Sequence, residues 1–257
     1  MNLIKNESNI DTILDNLSKL EIKVKETNAE YLYNNKKVPR VTEILSAMLA
    51  EPGLMNWSNN LGWKRISYSA FMREASDKGS YTHLAIEKFL KKEDFKISDF
   101  KIMNFNIQLS VENAFQSFKK WWVDLHREYD NIKLVLSEET LIGPYFGGTC
   151  DCVLKVDEKY WLVDFKTSNH MSYNYALQLS AYRLLLKELK GIDIDRCIVL
   201  KLKKDDVKYN TYELDMSIEK HREFTDSCLQ TFKLLTAAYI MRLKTTEEYK
   251  SIYKISY

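Results

Sequence analysis

Residues 147–166 run Gly-Gly-Thr-Cys-Asp-Cys-Val-Leu-Lys-Val-Asp-Glu-Lys-Tyr-Trp-Leu-Val-Asp-Phe-Lys, and no other stretch constrains the fold of this chain as tightly. Two runs rich in β-branched and aromatic residues flank Asp157-Glu158, so the segment reads as a β-hairpin. A two-residue turn there pairs Val156 with Lys159. Counting back along the arms then brings Asp151 opposite Asp164. Opposed side chains lie roughly 5 Å apart on one face, and Lys166, two residues past Asp164, points the same way. Asp151, Asp164 and Lys166 therefore share a face with Val153 and Leu162. The opposite face carries Cys152, Leu154, Trp161, Val163 and Phe165 and is built to pack on a helix. Any even-numbered turn preserves this arrangement; an odd loop without a bulge destroys it.

Charges set among so many apolar residues are half-buried, and buried charge is costly unless it is paired or bound to a cation. Two carboxylates held together repel unless positive charge sits between them. Hard divalent cations take oxygen ligands and activate water for phosphodiester hydrolysis. A lysine beside them can position or deprotonate the water, or offset charge developing on phosphate. The bland alternative is a surface hairpin with an ordinary salt bridge, and Asp-Phe-Lys alone does not exclude it.

The surrounding motifs do more. Gly148-Thr149-Cys150-Asp151, then Val163-Asp164-Phe165-Lys166-Thr167-Ser168, then Gln178-Leu179-Ser180-Ala181-Tyr182 resemble the G-x-x-D, D-x-K-T and Q-x-x-x-Y elements of the RecB-like branch of the PD-(D/E)XK nucleases. That branch has an upstream helical histidine in a context similar to Gly79–Glu87, which contains His83. Val38-Pro39-Arg40-Val41-Thr42-Glu43-Ile44-Leu45, followed by Trp57, is similar to the opening of phage and mitochondrial-maintenance-type exonucleases, with Arg40 in place of the usual serine. The resemblance spans about residues 30–190.

By that resemblance His83, Asp151 and Asp164 bind Mg²⁺ or Mn²⁺ with the backbone carbonyl of Phe165. Lys166 is the catalytic lysine, and Gln178 and Tyr182 line the site. Residues 178 and 182 share a helix face by spacing alone. Glu87, one turn after His83, is open to three readings: orienting Lys166, touching a second metal, or an ordinary helix glutamate. Of Glu138 and Glu139, on the strand before the hairpin, alternation favours Glu139 as the one facing the site. His126, His170 and His221 have no partner pattern.

Cys150 and Cys152 form C-x-C, with Cys197 and Cys228 far off, and no pair has zinc-ribbon spacing. Some relatives place four cysteines around an iron–sulfur cluster, one upstream of the core and three near the C-terminus, and this chain does not. Cys150 and Cys152 are expected as buried free thiols on the packed face, and scattered cysteines suit a reducing cytoplasm. The N-terminus is polar, with no signal-peptide pattern, and no apolar run approaches a membrane span. Basic and acidic residues nearly balance, 38 against 36, so nucleic-acid contact would have to be local. Lys119-Lys120, next to Trp121-Trp122, and Lys201–Lys204 are candidate phosphate contacts, with aromatics for stacking on unpaired bases. At least one of the two tryptophans is expected in the core.

The coarse order is a helix at 8–20, a small hairpin within 21–38, a helix at 41–49, and helices over 62–91 with a break near Gly79. A long helix at 104–128 follows, with Phe105, Leu109, Ala114, Phe118, Trp122 and Leu125 on its apolar face. Strands come near 132–142, 146–156 and 160–166, then a helix at 173–189 ending before Gly191, strands at 197–203 and 208–214, and a closing helix at 217–243. This predicts an α/β fold: a mixed central sheet flanked by helices, restriction-endonuclease-like, with a helical N-terminal region. The division is 1–60 for that region and 61–257 for the core, packed as one domain. Gly and Pro number only 7 and 3, which excludes long disordered linkers.

The function expected is a divalent-metal-dependent deoxyribonuclease, an exonuclease on DNA ends or single strands. The alternatives are a catalytically inactive DNA-binding or interaction protein on a nuclease fold, and a structure-specific endonuclease. Richness in Asn, Lys, Ile and Tyr suits an AT-rich bacterial or phage genome, hence the cytoplasm of a bacterial or phage-infected cell. No P-loop is present, so a helicase, recombinase or replication partner would be a separate chain.

Overall fold

The computed structural model describes residues 7–19, 31–49, 52–102, 104–168 and 170–253. The extreme N-terminus and the first ten residues of the 21–38 expectation lie outside them.

The elements in chain order are α1 (Glu7–Ser18), β1 (Tyr31–Tyr33), β2 (Lys36–Val38), α2 (Val41–Met48), α3 (Pro52–Trp63), α4 (Tyr68–Leu90) and α5 (Phe105–Glu128). There follow β3 (Ile132–Ile142), β4 (Gly147–Val156), β5 (Lys159–Lys166), α6 (Tyr173–Lys190), β6 (Arg196–Leu202), β7 (Tyr209–Asp215) and α7 (Glu219–Tyr253). β1 and β2 form a separate small hairpin. The main sheet has the order β3-β4-β5-β6-β7. β5 and β6 are parallel and joined by α6, while the other steps are antiparallel. The mixed sheet flanked by helices is thus the architecture the sequence predicts.

The central hairpin keeps its predicted register. Val156 pairs with Lys159, and the ladder continues to Cys152 opposite Val163. Its faces separate two cores. Val153 and Leu162 pack with Cys197 and Val199 against α2, α6 and α7. Cys152, Leu154, Trp161, Val163 and Phe165 pack with Ile198 and Leu200 against α4 and α5. Covering both faces of β5 and β6 fits their near-continuous apolar sequence.

Three expectations need correction. α4 runs unbroken through Gly79; the break falls at Lys64–Ser67, where Ser67 caps α4 by accepting the Ala70 amide at 3.4 Å. A mid-helix glycine costs only about 1 kcal/mol. The buried seam of α5 is Ile107, Val111, Ala114, Phe118, Trp121 and Leu125, whereas Phe105 and Leu109 are exposed. The seam follows alternating steps of four and three residues, the helical period; the expected face had mixed two registers. Last, Cys150 and Cys152 do not share a face. Cys150 belongs to the α6 side and Cys152 to the α4–α5 side, so alternation fails at Asp151 between them. All four cysteines are free and buried, and burial pushes the Cys150 and Cys197 thiols up to about 12.

Candidate active site

The site forms where the β4–β5 ladder stops. Beyond Cys152–Val163 the two strands part, although β5 stays paired to β6 through Lys166. The Asp151 carboxylate lies in the gap, where Oδ2 accepts the backbone N–H of Phe165 at 2.7 Å. It does the hydrogen-bonding work of the missing strand partner.

α4 delivers His83 to the same point. Its Nε2 lies 3.1 Å from the Phe165 carbonyl and its Nδ1 3.1 Å from Glu138 Oε1. Asp151 Oδ1 is 3.6 Å from Nδ1. Burial alone would lower the imidazole pKa, but Asp151 and Glu138 outweigh it and raise it to about 9. At that value the imidazole carries a proton at neutral pH and donates to Glu138 and to the Phe165 carbonyl.

Glu138, not Glu139, faces the site. β3 has a register shift between Leu134 and Leu136, and Glu138 has a left-handed backbone, φ 50°. Both break the alternation that favoured its neighbour, which instead pairs with Lys190 at 2.5 Å. An αL conformation is uncommon for a residue like glutamate and clusters at functional sites. The only sequence signal for it was the Glu-Glu doublet beside the hairpin, since the bulge leaves no mark.

Asp164 is almost wholly buried, 1% exposed. Lys166 Nζ is 2.8 Å from both of its carboxylate oxygens. Its hydrogen bond is directed at Oδ1, which leaves Oδ2 buried without one. Burial raises the Asp164 pKa to about 6 against the opposing pull of Lys166. Burial pulls Lys166 down, yet Asp164 and Asp151 hold it above the usual lysine range. Its ammonium also stands 5.0 Å from the centre of the Tyr175 ring, a contact the sequence reading did not include.

Gln178 Nε2 donates to the Tyr182 hydroxyl at 3.3 Å, one turn along α6. Burial pushes the tyrosine pKa up, and Asp151 and Asp164 add to the effect. Gly148 explains itself here: a Cβ on it would lie 2.6 Å from Tyr182 Cε1. Glu87 pairs with Lys91 at 2.5 Å, the ordinary i,i+4 reading. Among the basic candidates, Lys201 is the in-register neighbour of Lys166 on β6, while Lys119 lies over the Phe115 ring.

Among the described residues, His83, Glu138 and Asp151 form a group whose donor atoms all lie within 4.8 Å of one another. The Phe165 carbonyl adds an oxygen, and Asp164, paired with Lys166, offers its carboxylate beside them. Carboxylates, a carbonyl and one imidazole suit a hard divalent cation of the Mg²⁺ or Mn²⁺ kind. Asp164 itself lies outside the tight group and is held by Lys166.

A family model described as the PD-(D/E)XK nuclease superfamily matches residues 64–247, well over half of the chain. The chain belongs to the PD-(D/E)XK nuclease superfamily. No curated protein matches it significantly. A solved structure titled "Crystal structure of SSO0001" is 17% identical over 86% of this chain and 85% of that one, with a TM-score of 0.31, too low to carry an argument. Among the described residues of this PD-(D/E)XK chain, no helix is long and apolar enough to cross a membrane.

Proposed function

We propose that this chain is a divalent-metal-dependent deoxyribonuclease of the RecB-like branch, acting as an exonuclease on DNA ends or single strands. The observation that supports it most is the meeting, at one strand end, of His83, Glu138, Asp151 and the Phe165 carbonyl, with the Asp164–Lys166 pair beside them.

In this reading the first four groups and Asp164 hold the cation, and Asp164 shares its charge with Lys166. A bound divalent cation supplies Lewis-acid stabilisation of phosphate charge and a more acidic water. Lys166 carries a proton and stands within reach of a phosphate oxygen seated by the acids, so it offsets developing negative charge. Asp151 is pinned by the Phe165 amide and needs no rearrangement to present Oδ1. Gln178 and Tyr182 form the wall on the α6 side and orient the strand being cut.

The test is cleavage of end-labelled linear DNA and closed circular DNA, with Mg²⁺ or Mn²⁺ and with EDTA. Metal-dependent loss of linear DNA alone is expected. Cutting of the circle would make it an endonuclease, and binding without cleavage would leave an inactive DNA-binding protein.

A further inference from the structure

α3 and the first turns of α4 stand outside both cores: among the described residues, none in 56–79 contributes an apolar side chain to either. The two helices meet through Trp57, which stands edge-on to Tyr68 at 5.8 Å and to Phe71 at 5.1 Å. Residues 62–73 are exposed throughout. They include Trp63 at 87% and Ile66, Tyr68, Phe71 and Met72 at 39–42%, an apolar concentration that marks an interaction surface. The same stretch carries Lys64, Arg65 and Arg73. Residues 52–73 hold neither Asp nor Glu, although 36 of the chain's 257 residues are acidic. Among the described residues, no ion pair takes up any of those three cations.

α4 leads from this surface into the site, unbroken from Tyr68 to Leu90 and carrying His83. Tyr68, Met72, Ala75, Gly79 and His83 follow one another at steps of four and three, so they share one helix face. Gly79 lies against the residue after Lys166: a Cβ on it would be 3.8 Å from Thr167 Oγ1. Between Met72 and His83 this face holds only Ala75 and Gly79, and no bulky side chain interrupts it. Acids return at Glu74 and Asp77, which fall on the far side by the same count, and Glu74 is paired with Lys78 at 2.6 Å. At about 1.5 Å of rise per residue, Met72 and Tyr68 lie roughly 16–22 Å along α4 from His83. A stacked strand covers that span in about five to seven nucleotides, at roughly 3.4 Å each.

We propose that the surface formed by residues 57–73 stacks on unpaired bases of the strand whose phosphate is seated at Asp164 and Lys166. The inference rests on the nuclease reading and names its substrate as single-stranded over the distance from the acids to this surface. Aromatic faces stack on any base without reading its edge, and cations beside them track the backbone. Bases in a duplex are already stacked on one another and closed to these side chains. Aromatic and basic residues together also suit a membrane interface. DNA is favoured because the surface continues the helix face that carries His83.

The experiment uses the full-length chain, Mg²⁺, and oligodeoxynucleotides of increasing length with hydrolysis-resistant phosphorothioate linkages. Affinity should step up once the strand passes about five to seven nucleotides, and a 2-aminopurine moved base by base should be quenched only beyond that step. Tyr68→Leu and Phe71→Leu, each checked for folding by thermal melting, should remove both the step and the quenching and weaken long strands about five- to hundredfold. Arg73→Gln should lower the salt slope of long-strand binding by roughly 0.7. A trinucleotide, too short to reach the surface, should bind wild type and variants alike, and a duplex should show no step. A step and quenching that are absent from wild type, or unchanged in both leucine variants, overturn the surface; so does an equal loss of affinity for the trinucleotide. Sedimentation with phosphatidylserine vesicles and sizing in solution read the other occupants. If the leucine variants lose vesicle binding or self-association while strand binding stays intact, the surface belongs to a membrane or a second copy and the proposal is overturned. Cleavage of linear DNA is read separately. If wild type cuts but long strands give no step, the surface falls and the nuclease reading stands. If the step and the quenching appear without cleavage, the surface stands on a DNA-binding protein.

Discussion

Asp151 Oδ2 accepts the Phe165 amide at 2.7 Å, so one of the site's carboxylates is fixed by the main chain of the neighbouring strand. Two substitutions separate its two roles. Asp151→Asn keeps an oxygen for the amide and should melt close to wild type while losing most of the thermal shift that Mg²⁺ or Mn²⁺ gives. Asp151→Leu leaves a buried N–H unsatisfied and should also cost about 1–3 kcal/mol. A cation that binds only the folded state stabilises by mass action; an undiminished shift in the folded Asn variant would remove Asp151 from the cation site.

Asp164→Ala and Lys166→Ala should each lower cleavage by about a hundredfold or more while the fold survives. The two groups are held to one another at 2.8 Å, so their effects should not add: the double variant should be little worse than either single one. Near-wild-type cutting by a folded single variant would end the assignment.

His83 should give the metal-free protein a recognisable pH dependence. Its pKa is raised from 6.5 to about 9 in the folded state. A raised pKa means stability fully present below pH 6.5 and lost as pH climbs through 9. In EDTA, the difference in stability between wild type and His83→Asn should therefore shrink by up to roughly 3 kcal/mol across that window. A parallel pair of curves would refute the ion-pair picture. Ligation needs the neutral ring, so the cation-induced shift should grow over the same range. Because nitrogen suits manganese better than magnesium, His83→Ala should weaken Mn²⁺ binding more than Mg²⁺ binding.

Gly148→Ala places a methyl 2.6 Å from Tyr182 Cε1 and 2.7 Å from its hydroxyl. Overpacking of this kind costs about 1–3 kcal/mol. Calorimetry should show that loss, and it should shrink when Tyr182→Leu opens the space. If the double variant loses the sum of the two single costs, the close approach is not what the glycine is for.

What the sequence made legible was set by local counting. The Asp157-Glu158 turn fixed the register from Val156–Lys159 to Cys152–Val163, and Gly191, with φ 66°, closed α6 one residue beyond its predicted end. His83, Asp151, Asp164, Lys166, Gln178 and Tyr182 all converge near one strand end. Parity counting failed wherever the backbone departs from a uniform strand. The β3 shift and the αL residue exchange Glu138 for Glu139, and Cys150 and Cys152 fall into different cores where β4 and β5 part. Tyr175 was missed because its position under Lys166 depends on how α6 docks, which no spacing encodes.

Phe165 reaches the site's polar groups through its main chain, N–H to Asp151 and carbonyl toward His83, while its ring stands edge-on to the His83 imidazole at 5.8 Å. Its ring belongs to the core, edge-on to Phe118 at 5.6 Å. No side-chain replacement short of proline removes the amide, and none removes the carbonyl. The middle letter of Asp-Phe-Lys is therefore free to drift among residues that fill the same hole. Agreement or disagreement at that letter between this chain and a distant cousin measures how alike their interiors are. It is silent on whether both still cut.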